Sequence, residues 1–333
     1  MRAIVISKPG GPEVLQLRDV PEPLPSRGEV RIRIRAAAVN RADLLQRRGK
    51  YPPPPGVSPD IPGLECAGEV DRLGDDVTEL AVGARVFGIV GGGAYAEYVV
   101  AHARTVTTLP RGMAFAEAAA IPEAFITAWD AMVGQAQLMP GETALVSAAG
   151  SGVGTAALQI ARALGARVIG TARSGAKLER ARALGLTDAI AIARSPGPPV
   201  YADHVLALTD GRGADVILEL VGGAYLTEDL ACVAPKGRIV VVGTMAGTTA
   251  SVDLGALMHK RARIHGTVLR SRPLEEKIGG ALALGRYMVP LFSSGALRPV
   301  IDRVFPLEAA ADAHRLLETN DTFGKIVLEV GPA

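Results

Sequence analysis

The sequence predicts an α/β protein in which a β-rich region precedes a doubly wound parallel sheet. Two observations indicate this fold. Apolar strand-like runs alternate with helix-like segments from about residue 123 to 265, and a glycine cluster at 147–154 follows one of these strands. Strands separated by helices of about 10–15 residues are typical of right-handed βαβ units. The length of 333 residues favours two domains, because one core stops growing at about 250–300 residues.

The first ~120 residues predict short strands with irregular connections. Residues 30–35 alternate aliphatic side chains with arginines, which is the period of a half-buried strand. On the arginine face, formed by Arg31, Arg33 and Arg35, we expect solvent rather than a bound anion. Four consecutive prolines at 52–55 exclude a helix and an inner strand, so residues 51–62 predict a stiff surface loop.

The pattern changes again after about residue 265. It predicts a helix over 275–292, a strand over 298–305, a second helix over 308–319 and a closing strand over 325–330. These elements can return to the first region, which would make the middle of the chain an inserted domain.

The composition excludes several classes of protein. Hydrophobic residues make up 48% and charged residues 21%, which is typical of a globular chain. The net charge is only +2, so neither nucleic acid nor an anionic membrane is an expected partner. Two cysteines, Cys66 and Cys232, exclude a disulfide framework and a four-thiolate zinc site, and they favour the cytoplasm. The short apolar N-terminal run predicts a strand rather than a signal peptide, and no apolar run is long enough to predict a membrane span.

The densest motif is Ser-Ala-Ala-Gly-Ser-Gly-Val-Gly at 147–154, between a predicted strand and a predicted helix over 155–164. Small residues there let the backbone approach a pyrophosphate, whose charge faces the helix N-terminus. The strict G-x-G-x-x-G spacing is absent, and the alternative is a glycine-rich turn that packs the helix on the strand. We favour a dinucleotide site with contacts from Ser151, Gly152, Val153 and Gly154.

The end of the second strand in this region indicates which dinucleotide binds. An NAD site usually has an acidic residue there, which accepts hydrogen bonds from the adenosine ribose. This chain has Arg173, Ser174 and Lys177 instead, and no carboxylate. Two cations and a hydroxyl suit a ribose 2′-phosphate, so the sequence favours NADPH. The alternative is a set of ordinary surface cations near the start of a helix.

Four further segments accompany the glycine cluster: Asn40–Leu44, Ile121–Trp129, Val268–Arg272 and Phe323–Glu329. Together they resemble the zinc-independent NADPH:quinone oxidoreductases, the zeta-crystallin-like family of the medium-chain dehydrogenase/reductase superfamily. The resemblance is greatest to the branch whose animal member is induced by a tumour suppressor. It implies a GroES-like β-rich catalytic domain over 1–122 and 268–333, a Rossmann NADPH-binding domain over 123–267, and a homodimer.

The resemblance also implies roles for individual residues. Further cofactor contacts would come from Thr127, Gly243, Thr244, Met245, Val268, Leu269, Arg270 and Lys325. Tyr51 and Asn40 would lie near the nicotinamide and donate hydrogen bonds to a developing oxyanion. The alternative for Tyr51 is packing on the proline loop, and the alternative for Asn40 is a cap at the end of a strand.

The same resemblance predicts that no metal is bound. Leu64 stands where the zinc-dependent relatives have a histidine ligand, and the segment Val39–Asp43, which matches the one that contains their cysteine ligand, has no thiolate. Cys66 is adjacent, but successive residues of a strand face opposite sides. The branch also often has a tyrosine near the adenosine phosphate, where this chain has Ile192, and Arg194 nearby could compensate.

These observations predict an enzyme that transfers a hydride from NADPH to a quinone. The alternative is an NADPH-dependent enone or 2-enoyl thioester reductase, for which an acyl-carrier partner would need the basic row at 31–35. A main role in binding single-stranded nucleic acid is disfavoured, since the chain has one tryptophan, six tyrosines and six phenylalanines as stacking platforms.

Overall fold

The structure is a computed structural model that describes residues 1–193 and 197–331. It divides into two compact units. Unit 1 comprises Met1–Ile126 with Leu269–Ala333, and unit 2 is Thr127–Val268. The predicted domain boundaries, after residues 122 and 267, lie close to these two division points.

Fifteen strands are assigned in the described residues: β1 (Arg2–Ile6), β2 (Leu15–Asp19), β3 (Glu29–Val39), β4 (Glu65–Leu73), β5 (Arg85–Ile89), β6 (Tyr98–His102), β7 (Val106–Thr108), β8 (Thr143–Val146), β9 (Arg167–Ala172), β10 (Asp188–Ala191), β11 (Ala214–Glu219), β12 (Val233–Val241), β13 (Arg263–Gly266), β14 (Ile301–Pro306) and β15 (Lys325–Glu329).

The α-helices of the same residues are α1 (Arg41–Arg47), α2 (Phe115–Ala119), α3 (Pro122–Trp129), α4 (Gly152–Ala163), α5 (Gly175–Arg182), α6 (Ala202–Leu208), α7 (Tyr225–Cys232), α8 (Leu254–Lys260), α9 (Leu274–Ala283), α10 (Val289–Ser293) and α11 (Ala310–Glu318). Short 3₁₀ turns lie at Pro12–Val14, Ala103–Thr105 and Leu307–Ala309, and π-helical turns lie at Asp130–Gln135 and Leu284–Met288. None of the helices in the described ranges has the length and hydropathy needed to cross a bilayer.

Unit 2 is built on a parallel six-stranded sheet in the order β10-β9-β8-β11-β12-β13. Counted from β8, this is the order 3-2-1-4-5-6, which is that of the Rossmann dinucleotide-binding fold. The chain reverses its direction of winding between β8 and β11, and ligands of such sheets bind at the carboxyl ends of the strands next to that point. The predicted fold class of this region is confirmed.

Unit 1 is built on a seven-stranded sheet in the order β14-β15-β3-β4-β5-β7, with β6 also paired to β3. Its pairs are antiparallel except β14 with β15. Aliphatic residues of β3 face a core that contains Val30, Ile32 and Ile34. The predicted proline loop contains no helix or strand over 51–62.

Several predicted elements differ from the observed ones in their bounds, among them the strand predicted over 298–305, which is β14 (Ile301–Pro306). Helix α4 begins at Gly152 rather than 155, because Ser151 caps it. A π turn divides the predicted helix over 275–292 into α9 and α10, and a 3₁₀ turn precedes α11.

The expectation of solvent on the arginine face of β3 is wrong for Arg31. Its side chain is only 8% exposed, and it donates to Asp71 at 2.7 Å and to Glu22 at 2.8 Å. Its guanidinium also lies 4.8 Å from the centroid of the Tyr98 ring. Arg35 forms a 2.7 Å ion pair with Glu69. Carboxylates from neighbouring segments therefore neutralise much of the positive charge of this row.

Candidate active site

The glycine cluster of unit 2 forms the turn between β8 and α4. The Ser151 hydroxyl accepts a 3.0 Å hydrogen bond from the Gly154 N–H and so caps the helix. A Cβ at Gly154 would lie 2.5 Å from the carbonyl oxygen of Ala148, so only glycine fits where the helix packs on the strand. The first turn of α4 thus contains all four predicted pyrophosphate contacts, Ser151 to Gly154. Its backbone N–H groups and the helix dipole suit a bound phosphate.

The predicted 2′-phosphate contacts lie together where β9 leads into α5. Arg173 is exposed, Ser174 is the N-cap residue of α5, and Lys177 is in the first turn of that helix. The Ser174 hydroxyl makes no capping hydrogen bond. No Asp or Glu occurs over 171–177, so the end of this strand is cationic and fits a dianion.

Two residues near this strand end alter the expectations. Ile192 is buried in the core of unit 2 with Tyr201, so its side chain offers no surface to a ligand. Tyr225, which the sequence did not single out, lies near enough to Arg173 for the guanidinium to oppose the rise in its pKa that burial causes. The prediction for Arg194 concerns a residue outside the described ranges.

The other cofactor contacts predicted in unit 2 lie on several different elements. Gly243, Thr244 and Met245 follow β12 at the carboxyl edge of the sheet, and the Met245 side chain is 55% exposed. Val268 follows β13 and is also exposed, whereas Thr127 in α3 is buried. Their roles stay predictions.

A buried ion pair organises the polar cluster of unit 1. The Lys325 ammonium lies 2.6 Å from Glu65 Oε1, donates to Asn40 Oδ1 at 2.6 Å and donates to the Val39 carbonyl at 3.2 Å. The side-chain amide of Asn40 donates to the same Glu65 oxygen at 2.8 Å and to the Ala38 carbonyl at 3.3 Å.

This cluster bears on the predicted roles of Lys325 and Asn40, which stay predictions. All three N–H donors of Lys325 are engaged inside unit 1, so its contacts do not support a direct bond to the cofactor. Both amide hydrogens of Asn40 are engaged as well. Asn40 is the N-cap residue of α1, which agrees with its predicted alternative role as a cap.

Arg270 binds the loop that contains Tyr51. Arg270 is 5% exposed, and its guanidinium donates to the Gly91 carbonyl at 2.9 Å, the Tyr51 carbonyl at 3.2 Å and Gln46 Oε1 at 2.8 Å. It also lies 5.1 Å from the centroid of the Tyr51 ring. Arg270, a predicted cofactor contact, thus holds the loop in place, while Leu269 before it is half-buried.

The Tyr51 hydroxyl has no hydrogen-bond partner among the described residues. Burial raises the pKa of Tyr51, the negative charge of Glu123 raises it further, and Arg270 opposes the shift. Tyr51 is therefore protonated at neutral pH, and its O–H group can donate a hydrogen bond to a ligand. It packs on Arg270, which the sequence did not predict.

Glu123 is the acidic residue that sequence reasoning missed. Its backbone N–H donates to Glu65 Oε2 at 2.7 Å. Burial and the Glu65 carboxylate raise the pKa of the Glu123 side chain to about 8, although Lys325 opposes the shift. Glu123 is the one charged residue of the apolar segment Ile121–Trp129, and that isolation is the signal in the sequence that could identify it.

A second network lies behind α1. Asp43 is fully buried and accepts from the backbone N–H groups of Asn40 at 2.8 Å and Gly63 at 3.0 Å. The Tyr95 hydroxyl lies 3.2 Å from Asp43 and 3.1 Å from His314 Nε2, and Arg47 donates to His314 Nδ1 at 3.2 Å. Since arginine can only donate, the His314 Nε2 proton points to Tyr95, and the Tyr95 proton points to Asp43.

The residues at the positions of the zinc ligands in the zinc-dependent relatives make other contacts in this protein. Leu64 is buried, and Cys66 lies in the apolar core, where burial raises the pKa of its thiol to about 12. Glu65 faces the opposite side of β4, toward Lys325. Within the described residues no group of three His, Cys, Asp or Glu side chains could hold a metal ion.

Comparisons with known proteins agree with this architecture. The model of the alcohol dehydrogenase GroES-like domain matches residues 26–111, and the model of the zinc-binding dehydrogenase family matches residues 152–284. The quinone oxidoreductase of Homo sapiens is 35% identical over 332 residues, which cover 98% of this chain and 97% of that protein. One protein of the phenolphthiocerol/phthiocerol polyketide synthase of Mycobacterium tuberculosis is 33% identical over 325 residues, which cover 98% of this chain but 14% of that protein.

A solved structure extends the agreement to the fold of the whole chain. Escherichia coli quinone oxidoreductase in complex with NADPH superposes with a TM-score of 0.87 at 28% identity, and the match covers 99% of this chain and all of that one. The GroES-like domain, the Rossmann strand order and the identity over the full length lead to one conclusion. The chain belongs to the quinone oxidoreductase family of the medium-chain dehydrogenase/reductase superfamily.

Proposed function

We propose that this protein transfers a hydride from NADPH to a quinone. The observation that carries the proposal is the group of Arg173, Ser174 and Lys177 at the end of β9, in a segment (171–177) whose sequence contains no Asp or Glu. Each charge-assisted hydrogen bond to a 2′-phosphate contributes about 1.5–3 kcal/mol, and ~1.4 kcal/mol is tenfold in affinity. Two such bonds favour NADPH over NADH by two orders of magnitude or more.

The residues of unit 2 would hold the cofactor at three places. Ser151 to Gly154 would bind the pyrophosphate through the N-terminus of α4, and Arg173, Ser174 and Lys177 would bind the 2′-phosphate. Further contacts from this unit would come from Thr127, Gly243, Thr244, Met245 and Val268, whereas the predicted contact Leu269 belongs to unit 1. The bound cofactor supplies the hydride, and this chain supplies orientation and electrostatics.

In unit 1, Tyr51 is the donor that would stabilise the oxyanion as the quinone accepts the hydride. Its hydroxyl is protonated at neutral pH and has no partner among the described residues. Asn40 is engaged with Glu65, so we assign it a positioning role in which it fixes the start of α1. The hydride brings two electrons and turns the quinone into a hydroquinone monoanion, and one proton from solvent then completes the hydroquinone.

A second candidate is reduction of an enone or a 2-enoyl thioester, which uses the same hydride. The match with a segment of a polyketide synthase favours it. The ion pairs of Arg31 and Arg35 speak against a basic surface for an acyl carrier at this row. Initial rates of NADPH oxidation with a quinone, a simple enone and an enoyl thioester separate the two candidates.

Calorimetry of NADPH and NADH binding tests the choice of cofactor. We expect NADPH to bind at least 100-fold more tightly, and Arg173→Ala and Lys177→Ala each to weaken NADPH about tenfold with little effect on NADH. Arg182→Ala removes a cation from the same helix that already pairs with Glu179, and it should change neither affinity. Equal affinity for the two dinucleotides with both variants silent would overturn the proposal.

We also propose a homodimer in the cytoplasm. Cys66 and Cys232 are both free and buried, which suits a reducing compartment. Strand β13 is the last strand of the unit 2 sheet, so one of its edges is available for pairing with a second copy.

A further inference from the structure

Two buried carboxyl groups, Glu219 and Asp229, lie against each other in unit 2. Glu219 is the last residue of β11, Asp229 is on α7, and both are 0% exposed. Their side chains are within hydrogen-bonding reach of each other. Glu219 Oε2 and Asp229 Oδ2 receive no hydrogen bond from any donor of the described residues. Two ionised carboxylates in such contact would be strongly repulsive, and both oxygens would lack a donor.

We propose that Asp229 keeps a proton at neutral pH and donates it to Glu219, and that this acid pair positions the backbone turns that bind NADPH. The inference rests on the cofactor of the proposed function. In this proposal Glu219 and Asp229 do not touch the cofactor. They are positioning residues, which act through the backbone turns that they hold.

The other hydrogen bonds determine which of the two acids carries the proton. Glu219 Oε1 accepts from the backbone N–H groups of Val221 and Gly222, the latter at 2.6 Å. Asp229 Oδ1 lies 2.6 Å from the Tyr201 hydroxyl, whose one proton it shares with the Tyr225 carbonyl at 2.9 Å, and it receives no backbone donor from the described part of the chain. Two backbone donors stabilise the anion on Glu219, so the proton belongs on Asp229. A single proton between Oδ2 and Oε2 then provides the missing partner for both oxygens.

The bonds of Glu219 reach the turns at the carboxyl edge of the sheet. Its carboxylate fixes the turn after β11, and the backbone of that turn bonds to the one after β12: Ala246 N–H donates to the Val221 carbonyl at 2.8 Å. A Cβ at Gly222 would lie 2.7 Å from the Gly243 carbonyl, so the two turns are in close contact. The second turn contains Gly243, Thr244 and Met245, which are predicted cofactor contacts.

Ser147 connects the pair to the glycine cluster. Its hydroxyl accepts from the Leu220 N–H at 2.6 Å and lies within reach of Glu219. The acid pair therefore adjoins the strand ends on both sides of the point where the sheet changes its winding direction.

The ionisable groups around the pair are consistent with a neutral Asp229. Burial raises the pKa of Asp229 well above its ordinary value, and the negative charge of Glu219 raises it further. The groups that face the pair are Tyr201 at the start of α6 and Tyr225, Glu228 and Cys232 on α7. Two cations lie farther out: Lys260 on α8 acts on Cys232, and Arg173 acts on Tyr225. Neither is among the groups that shift the pKa of Asp229.

Difference infrared spectroscopy tests the shared proton without any cofactor. The spectrum of wild type minus that of Asp229→Asn at pH 7 should contain the C=O stretch of a protonated carboxylic acid. Its absence would overturn the proposal, whatever the dinucleotide or the electron acceptor proves to be. A failure of the proposed function would leave this band unaffected, so the two failures are distinguishable.

Binding of NADPH tests the positioning role. In Asp229→Asn the amide replaces the proton as donor to Glu219, so the Kd should stay within about twofold of wild type. Asp229→Leu has a similar volume but no donor, and the Kd should rise about tenfold. If Asp229→Leu does not fold, Glu219→Gln provides the second comparison, because its amide can donate to an ionised Asp229, and it too should bind within about twofold. A loss of more than tenfold in Asp229→Asn would contradict the proposal, as would equal affinities of the Asn and Leu variants.

Discussion

The charge on Glu123 controls how well Tyr51 can donate a hydrogen bond. Burial raises the pKa of Glu123 to about 8, so the side chain is mostly neutral at pH 7. Above pH 8 it becomes a carboxylate whose charge raises the pKa of Tyr51, which makes the hydroxyl a weaker donor. The same charge repels an oxyanion formed on the substrate.

We therefore predict that kcat for quinone reduction falls, by about tenfold, as the pH rises through about 8. Glu123→Gln keeps the side chain neutral and preserves the backbone bond to Glu65, so its kcat should be flat over this range. Steady-state rates from pH 6 to 10 at saturating NADPH provide the measurement. An alkaline decline that persists unchanged in Glu123→Gln would exclude Glu123 as its source.

Tyr51→Phe tests directly whether the Tyr51 hydroxyl is the donor to the oxyanion. Removing one oxyanion donor costs about 10²-fold in kcat, and NADPH binding should be unaffected. If kcat does not change, Tyr51 serves only to pack on Arg270.

At the scale of elements, the start of α1 is held by a helix distant in the sequence. Asp43 accepts the backbone N–H of Asn40, and Tyr95 connects Asp43 to His314 on α11. The orientation of every proton in this network requires a neutral His314, because Nδ1 must accept from Arg47. Burial, with a smaller effect from the charge of Arg47, lowers the pKa of His314 to about 3.

This network gives folding stability a defined pH dependence. Between about pH 3 and 6.5 the unfolded chain protonates His314 and the folded chain does not, so stability is lost as the pH falls below 6.5. Asp43 acts in the opposite direction: burial raises its folded pKa to about 6, so its contribution is lost as the pH rises from 3.8 to about 6.

His314→Gln isolates the histidine contribution, because Asp43 is retained and glutamine can both accept and donate. The free energy of unfolding of wild type minus that of the variant should rise with pH by about 1.4 kcal/mol per unit between pH 4 and 6. Above 6.5 it should level off. Urea unfolding at several pH values measures it, and a difference independent of pH would show that His314 titrates normally.

At the scale of the whole molecule, strand β13 supports the proposed homodimer. The Thr267 N–H donates toward β12, to the Val241 carbonyl at 3.0 Å. Because successive residues of a strand point to alternate sides, the N–H groups of Ile264 and Gly266 face the open edge. Leu254 and Met258 on the neighbouring helix α8 are 65% and 75% exposed, which adds apolar surface to unit 2.

We predict that Gly266→Pro converts a dimer into a monomer, because it removes an edge donor and keeps the pairing with β12. A Cβ at Gly266 meets nothing within 4 Å, so Gly266→Ala should remain dimeric and serves as the control. Light scattering after size exclusion gives the mass. A dimeric Gly266→Pro would place the interface elsewhere, and a monomeric wild type would reject the homodimer.

The sequence by itself determined the features that depend on local sterics and on periodicity. Strand and helix periods gave the parallel sheet of unit 2, and the glycine cluster located its phosphate-binding turn because Gly154 has no room for a Cβ. The cations after β9 are adjacent in the chain, so no tertiary knowledge was needed to group Arg173, Ser174 and Lys177.

Only the tertiary structure decided which of the predicted side chains have free donors. Lys325 and Asn40 are 285 positions apart in the sequence, yet they share a hydrogen bond and a partner in Glu65. The raised pKa of Glu123 and the contact between Glu219 and Asp229 likewise arise from segments that meet only on folding. Desolvation and charge–charge energies depend on neighbours in space, and no local pattern in the chain specifies them.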